Sequence, residues 1–129
     1  MKVLLEEKDK LPRYVIHKHL SKRPHYDFRF ESGRKLLSWA LPKGMPEDIG
    51  SQKLAIKTDD HSLNFLDFEG KIPEGEYGAG KMEIADSGTI DILKKDPENK
   101  YVFFLDGEYK GRYALIHSES DRWFMTRVR

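Results

Sequence analysis

The sequence predicts a mainly β fold, a small β-barrel or sandwich of about eight short strands with little helix. Three observations lead there. Short runs of alternating apolar and polar residues recur at spacings of roughly 8–12 residues. No long stretch keeps the 3.6-residue period of an amphipathic helix. Turn chemistry separates the runs, with Ser32-Gly33-Arg34, Asp106-Gly107 and Ser118 to Asp121 placed where hairpins would close.

Residues 1–12 read as an N-terminal peripheral segment ending at Leu11-Pro12, and residues 13–129 as a single domain. Strands are expected at about 13–19 and 25–31, joined through Leu20 to Pro24, where proline suits a turn and would spoil a central ladder. The mostly apolar run Lys35 to Leu41 follows, closed by the loop Pro42 to Pro46. Lys53 to Thr58 alternates as a strand and leads into Asp59-Asp60-His61, and Ser62 to Phe68 reads as a short helix or as irregular chain. Gly70, Pro73, Gly75, Gly78 and Gly80 then mark turns or bulges. The remaining strands are Lys81 to Ile84, Gly88 to Leu93, Tyr101 to Leu105, Arg112 to His117 and Arg122 to Arg127.

At 129 residues the chain can bury one sizeable core. Charged residues make up 35% and aromatics 12%, so an ionic surface over an ordered interior is expected rather than disorder. There is no cysteine, which excludes disulfides and thiolate sites and leaves imidazole and carboxylate to hold any metal. No apolar run approaches the roughly 20 residues of a membrane helix. The segment Met1 to Glu7 is too short and too acidic for a signal peptide, so a cytoplasmic protein with no membrane partner is expected.

The net charge of +1 conceals an asymmetry. Residues 8–35 hold nine Lys or Arg against three acids, whereas residues 58–100 hold five Lys against eleven acids. The basic block surrounds the stretch with the densest chemistry, His17 to Phe30. Read as a strand, its second half places His25, Asp27 and Arg29 on one face and Tyr26, Phe28 and Phe30 on the other. The preceding strand sets His17 and His19 on a shared face. If the two strands pair as a hairpin, the histidines and Asp27 converge on one small volume, which is a metal-site geometry. Basic charge around it suits an anionic substrate such as a nucleic acid or a phosphate ester.

Other features have blander explanations. The run Gly75 to Gly80 lacks the Gly-Lys-Ser/Thr ending of a P-loop and no amphipathic helix follows, so bulges and tight bends account for it better. His117 lies within an apolar strand and reads as structural, and the two tryptophans as core.

Five blocks nevertheless form a recognisable series: Val15 to His19, His25 to Arg29, Ser38 to Gly44, Asp59 to His61 and Phe68 to Gly80. In this order they resemble the motifs of the 3′-phosphoesterase family, the DNA-end-healing domain of prokaryotic DNA ligase D that also occurs as a stand-alone protein. The resemblance runs from about residue 13 to the C-terminus. It implies a curved β-barrel and a manganese-dependent enzyme, other divalent transition metals also being suited. The implied activity is hydrolysis of a DNA 3′-phosphate to a 3′-hydroxyl and removal of 3′-terminal ribonucleosides from a primer-template before ligation. DNA 3′ ends are the implied substrate partner, and a DNA ligase of the same end-joining repair pathway the implied protein partner.

Carried over by position, the resemblance implies His19, His25 and Asp27 as metal ligands. Arg29 and His61 fall where the family contacts phosphate, and Lys43 lies in the Trp-Ala-x-Pro-Lys-Gly block; these three are the implied catalytic and DNA-binding residues. His17 and Asp59 are expected to support the ligands from behind. Two positions depart from the pattern: His17 replaces a usual glutamine, and Phe65 replaces a common tyrosine.

The chemistry of the residue types agrees. Two imidazoles and a carboxylate leave positions open on a metal, and a guanidinium offers a planar fork to phosphate oxygens. Arg29 has a structural alternative, a salt bridge to Asp27. His61, beside Asp59 and Asp60, is expected to favour its charged form. Two other function classes fit part of the pattern. One is an iron(II) oxygenase, with His25-x-Asp27 and His117 as a facial triad and Arg127 as cosubstrate arginine. The other is a non-catalytic module that binds DNA ends.

Overall fold

The alternating runs form strands in sequence: β1 (Arg13–Leu20), β2 (His25–Ser32), β3 (Lys35–Leu41), β4 (Gln52–His61), β5 (Gly70–Ile72), β6 (Gly80–Asp96), β7 (Lys100–Leu105), β8 (Gly111–Glu119) and β9 (Arg122–Arg127). The computed structural model describes residues 11–76 and 79–129. The expected peripheral segment therefore lies outside the described residues up to residue 10, as do Tyr77 and Gly78 of the glycine-rich block. Neighbours run β1-β2-β3-β4-β9-β8-β7-β6, all antiparallel, and β6 pairs back onto β1. Eight strands thus close a barrel, with β5 added on β6.

Two elements differ from the sequence expectation. The strands expected at Lys81 to Ile84 and Gly88 to Leu93 are one strand, β6, of 17 residues. Its first half pairs with β1 and its second half with β7, so it turns the corner that closes the barrel. The polar residues between the two expected strands do not break it, because Asp86 points inward as an acceptor. Its carboxylate receives Tyr14 Oη–H at 2.7 Å and the backbone N–H groups of Ser87, Glu108 and Tyr109 at 2.9, 2.9 and 3.1 Å. The second difference is β5, three residues in a region read as turns. Ser62 to Phe68 contains a 3₁₀ turn, Leu63–Leu66, capped by the Ser62 hydroxyl on the Asn64 N–H.

The main core fills the barrel with Tyr14, Ile16, Phe28, Phe30, Trp39, Phe103 and Tyr113, among others. Rings stack in register there, Phe28 on Phe103 at 5.2 Å and Phe30 on Trp39 at 5.7 Å. Side chains alternate across a strand, so the neighbours of these residues point outward. On β1 and β3 the outward residues Val15 and Leu36 are also fully buried. They pack in a second cluster with Leu63, Phe65, Leu66 and Ile84, beneath the excursion that follows β4. Outward residues of β1 and β2 are consequently sheltered from water, and the chemistry-bearing face is one of them.

Candidate metal centre

Pairing of β1 with β2 sets His17 opposite Asp27 and His19 opposite His25. The hairpin thus does what the alternation implied. His19 Nδ1 lies 3.2 Å from His25 Nε2 and 3.4 Å from Asp27 Oδ2, and His25 Nε2 lies 3.2 Å from Asp27 Oδ1. Among the described residues these three form the one group of His, Asp or Glu side chains whose ligand atoms all fall within 4.8 Å of one another.

The outer nitrogens decide what the inner ones present. His19 Nε2 sits 3.1 Å from the Ala79 carbonyl and His25 Nδ1 sits 2.8 Å from the Arg23 carbonyl. A carbonyl only accepts, so both nitrogens donate, and each neutral ring turns a lone pair inward. Two lone pairs and a carboxylate at these separations repel unless a cation lies among them. A proton serves in part: the hydrogen bond to Asp27 raises the His25 pKa above its ordinary value, against the opposing effect of burial. Asp27 Oδ2 is buried and accepts no hydrogen bond among the described residues. The donor set fits a divalent ion, which would satisfy all three groups, with backbone carbonyls orienting the imidazoles from behind. Gly80 helps to bring Ala79 there, since a β-carbon at Gly80 would collide with the Leu20 carbonyl oxygen.

Arg29 and His17 form the floor. Arg29 Nη2 lies 3.3 Å from Asp27 Oδ2, so the salt bridge expected as an alternative role is present. Burial works against the Asp27 charge, but the His25 hydrogen bond and the Arg29 guanidinium together hold its pKa below the usual carboxylate value. Arg29 Nη1 donates to His17 Nδ1 at 2.6 Å, and His17 Nε2 donates to the Phe68 carbonyl at 2.9 Å. Burial lowers the His17 pKa, consistent with a neutral ring in that tautomer.

Residues 17–117 match the family model described as the DNA ligase D 3′-phosphoesterase domain. The chain belongs to that family. It is similar to the multifunctional non-homologous end joining DNA repair protein LigD of Mycobacterium tuberculosis, with 48% identity over 120 residues. That match covers 90% of this chain and 16% of the relative. LigD of Mycolicibacterium smegmatis is 39% identical over 128 residues, covering 91% of this chain and 17% of the relative. LigD of Pseudomonas aeruginosa is 40% identical over 128 residues, covering 92% and 15%. The chain therefore spans about a sixth of the length of these relatives.

In this member of the 3′-phosphoesterase domain family, the other expected site residues are distributed unevenly. His61, at the end of β4, packs edge-on against Phe65 at 4.9 Å, and the Arg29 guanidinium lies over that ring, 5.5 Å from its centroid. Phe65, at the position where the resemblance implied a tyrosine, links the two expected phosphate residues. The charge expected on His61 is not favoured here. Burial and the nearby Arg29 cation lower its pKa, and they outweigh the carboxylates of Asp27 and Asp59. Asp60 does not supply the opposite charge, because its carboxylate is engaged by Lys35 at 2.8 Å and Lys57 at 3.3 Å. Asp59 is exposed and shares with His61 a cavity of about 310 Å³ rather than touching the imidazole ligands. Lys43 is exposed and borders a separate cavity of about 200 Å³ with Lys18 and His25.

His117 is elsewhere. Its ring nitrogens lie 2.8 and 2.7 Å from the carbonyls of Glu98 and Ser120, and the ring packs on Trp123. This is the structural role read from the sequence, and it takes His117 out of any facial triad with His25 and Asp27. One polar residue at the site escaped the sequence reading. Ser38 pairs with Arg29 across β2 and β3, faces the same side, and is fully buried with a hydroxyl that has no hydrogen-bond partner among the described residues. Its sequence signals are a lone hydroxyl in an apolar strand and its place at the head of the Ser38 to Gly44 block.

Proposed function

We propose that the chain is a divalent-metal-dependent phosphoesterase that heals DNA 3′ ends for non-homologous end joining. It converts a 3′-phosphate to a 3′-hydroxyl and resects 3′-terminal ribonucleosides, with manganese as metal and a ligase as the partner that uses its product. The observation that carries this is the convergence of His19 Nδ1, His25 Nε2 and the Asp27 carboxylate, three bases whose mutual approach calls for a cation. Family membership supplies the reaction class.

His19, His25 and Asp27 would hold the metal. When bound, it supplies Lewis acidity and neutralises phosphate charge. The chain's own groups do the rest. The Ala79 and Arg23 carbonyls keep both imidazoles in the ligand tautomer. Arg29, fixed by Asp27 and His17, adds a buried cation beside the phosphoryl position, where preorganised charge acts most strongly on the transition state. His61, which lines a neighbouring cavity, would hydrogen-bond the ester oxygen as it leaves. In hydrolysis, water adds to phosphorus, the bond from phosphorus to the 3′ oxygen breaks, and that oxygen becomes the 3′-hydroxyl by taking up the equivalent of the proton that the water gives up. The Arg29–Phe65–His61 arrangement supports a phosphate role for that corner. The reading is tested by offering primer-templates ending in 3′-phosphate, 3′-ribonucleotide and 3′-hydroxyl, with manganese. The first two should be processed and the third left intact; a protein that binds all three and alters none would be the non-catalytic module.

A further inference from the structure

Beside the metal centre, the β1–β2 turn and the end of the β5–β6 hairpin enclose a cleft of about 690 Å³. Its cations are Lys22, Arg23, Lys71 and Lys81, against one acid, Glu74. Ile72 and Ala79 give it apolar walls. None of the proposed ligands lines it, yet it is joined to them directly. Arg23 and Ala79, both lining residues, are the ones whose carbonyls hold His25 and His19. The cleft thus abuts the backbone that orients both imidazoles.

The charges there are not explained by the fold. Lys71 and Lys81 stand directly opposite each other in the β5–β6 ladder. Like charges in that position destabilise a sheet. Glu83 relieves Lys81 at 3.3 Å, but the four cations still face one open space. A polyanion lying along the cleft would offset that repulsion. One that alternates charge with apolar surface would also use the Ile72 and Ala79 walls, as phosphates and sugar faces do.

We infer that this cleft is a backbone track that seats the nucleotides immediately upstream of the 3′ end, Lys22 and Lys71 contacting their phosphates. The inference rests on the reading that the metal centre acts on DNA 3′ ends, and its test separates the two. Binding of a fluorescent single-stranded oligonucleotide with a 3′-hydroxyl end is followed by anisotropy over a salt series, for wild type and for Lys22→Glu with Lys71→Glu. The double variant should bind at least about tenfold more weakly, with a log–log salt slope shallower by roughly 1.4 for two lost single-strand phosphate contacts. Lys22→Glu alone, in an exposed turn, should show about half that slope change, which keeps the test usable should the double variant fold poorly. In turnover, kcat/KM for a 3′-phosphate oligonucleotide should fall about as far as binding does, while a mononucleoside 3′-phosphate, too short to enter the cleft, should be hydrolysed as by wild type. Unchanged binding and salt slope overturn the track, as does an equal loss on the mononucleotide, or a cleft that retains poly-glutamate and not the oligonucleotide. Should wild type release no phosphate while the variants still lose oligonucleotide binding, the track stands and the phosphoesterase reading falls.

Discussion

Arg29 Nη1 donates a 2.6 Å hydrogen bond to His17 Nδ1, and the same imidazole donates from Nε2 to the Phe68 carbonyl. His17 is therefore both acceptor and donor, tying the guanidinium beside Asp27 to the chain that roofs the site. A glutamine side chain also offers one acceptor and a donor, so it can replace the imidazole between Arg29 and Phe68. His17→Gln should keep phosphate release within a few-fold of wild type. His17→Leu removes the imidazole that Arg29 Nη1 and the Phe68 carbonyl bond to, which costs about 1.5–3 kcal/mol. Urea denaturation and steady-state kinetics on the two variants check this, with activity falling in the leucine variant only.

Arg29→Lys tests the guanidinium itself. An ammonium retains charge but cannot reach Asp27 and His17 through a planar fork. Activity should fall on the order of 100-fold, the usual scale for losing one preorganised group. Metal content measured alongside should stay at the wild-type level.

Metal binding should show in stability. If His19, His25 and Asp27 bind an ion only in the folded state, saturating manganese stabilises the fold by about 2.7 kcal/mol at a hundred times the dissociation constant. Thermal denaturation should show Tm rising with manganese and returning on chelation. In Asp27→Asn, Tm should not respond to manganese at all.

The direction of the His61 shift fixes a pH effect. Burial and Arg29 hold its folded pKa below the ordinary 6.5. As pH falls through the unfolded value, the unfolded chain takes up a proton that the folded chain does not, so this contribution to stability is complete above that value and lost below it. His61→Gln lacks it. Between about pH 7.5 and about pH 5.5, wild type should lose stability relative to the variant. A charged, carboxylate-paired His61 would give the opposite trend in paired urea titrations.

At the barrel seam, Tyr14→Phe removes a buried hydroxyl that donates to Asp86 and accepts from the Gly107 N–H at 3.0 Å. The loss should be about 1–2 kcal/mol of stability in denaturant titration. Turnover per folded molecule should not change, because the seam lies inside the barrel and the metal centre on its outer face.

The hairpin and its ligand face were legible because alternation alone places His17 and His19 against His25 and Asp27 once β1 and β2 pair. The continuity of β6 was not legible. Asp86 and Gly88 look like a break, yet one is an inward acceptor and the other lets Tyr14 and Asp106 approach, which only the closed barrel requires. The carbonyls of Arg23, Phe68 and Ala79 were equally hidden, since every residue carries one and only the fold chooses which face an imidazole. The lowered His61 pKa had the same origin. Sequence places Asp59 and Asp60 beside it, but the fold turns Asp60 to lysines and brings Arg29 close.

His19, His25 and Asp27 are proposed to hold the divalent metal that supports hydrolysis of a phosphate ester at a DNA 3′ end. The most direct measurement is single-turnover phosphate release from a 3′-phosphate primer-template by wild type and Asp27→Asn, with bound manganese quantified in both. Wild type should bind one ion and release phosphate, and chelation should stop it; the variant should do neither while remaining folded. Phosphate release by Asp27→Asn at the wild-type rate, or none by a metal-loaded wild type, would contradict the claim.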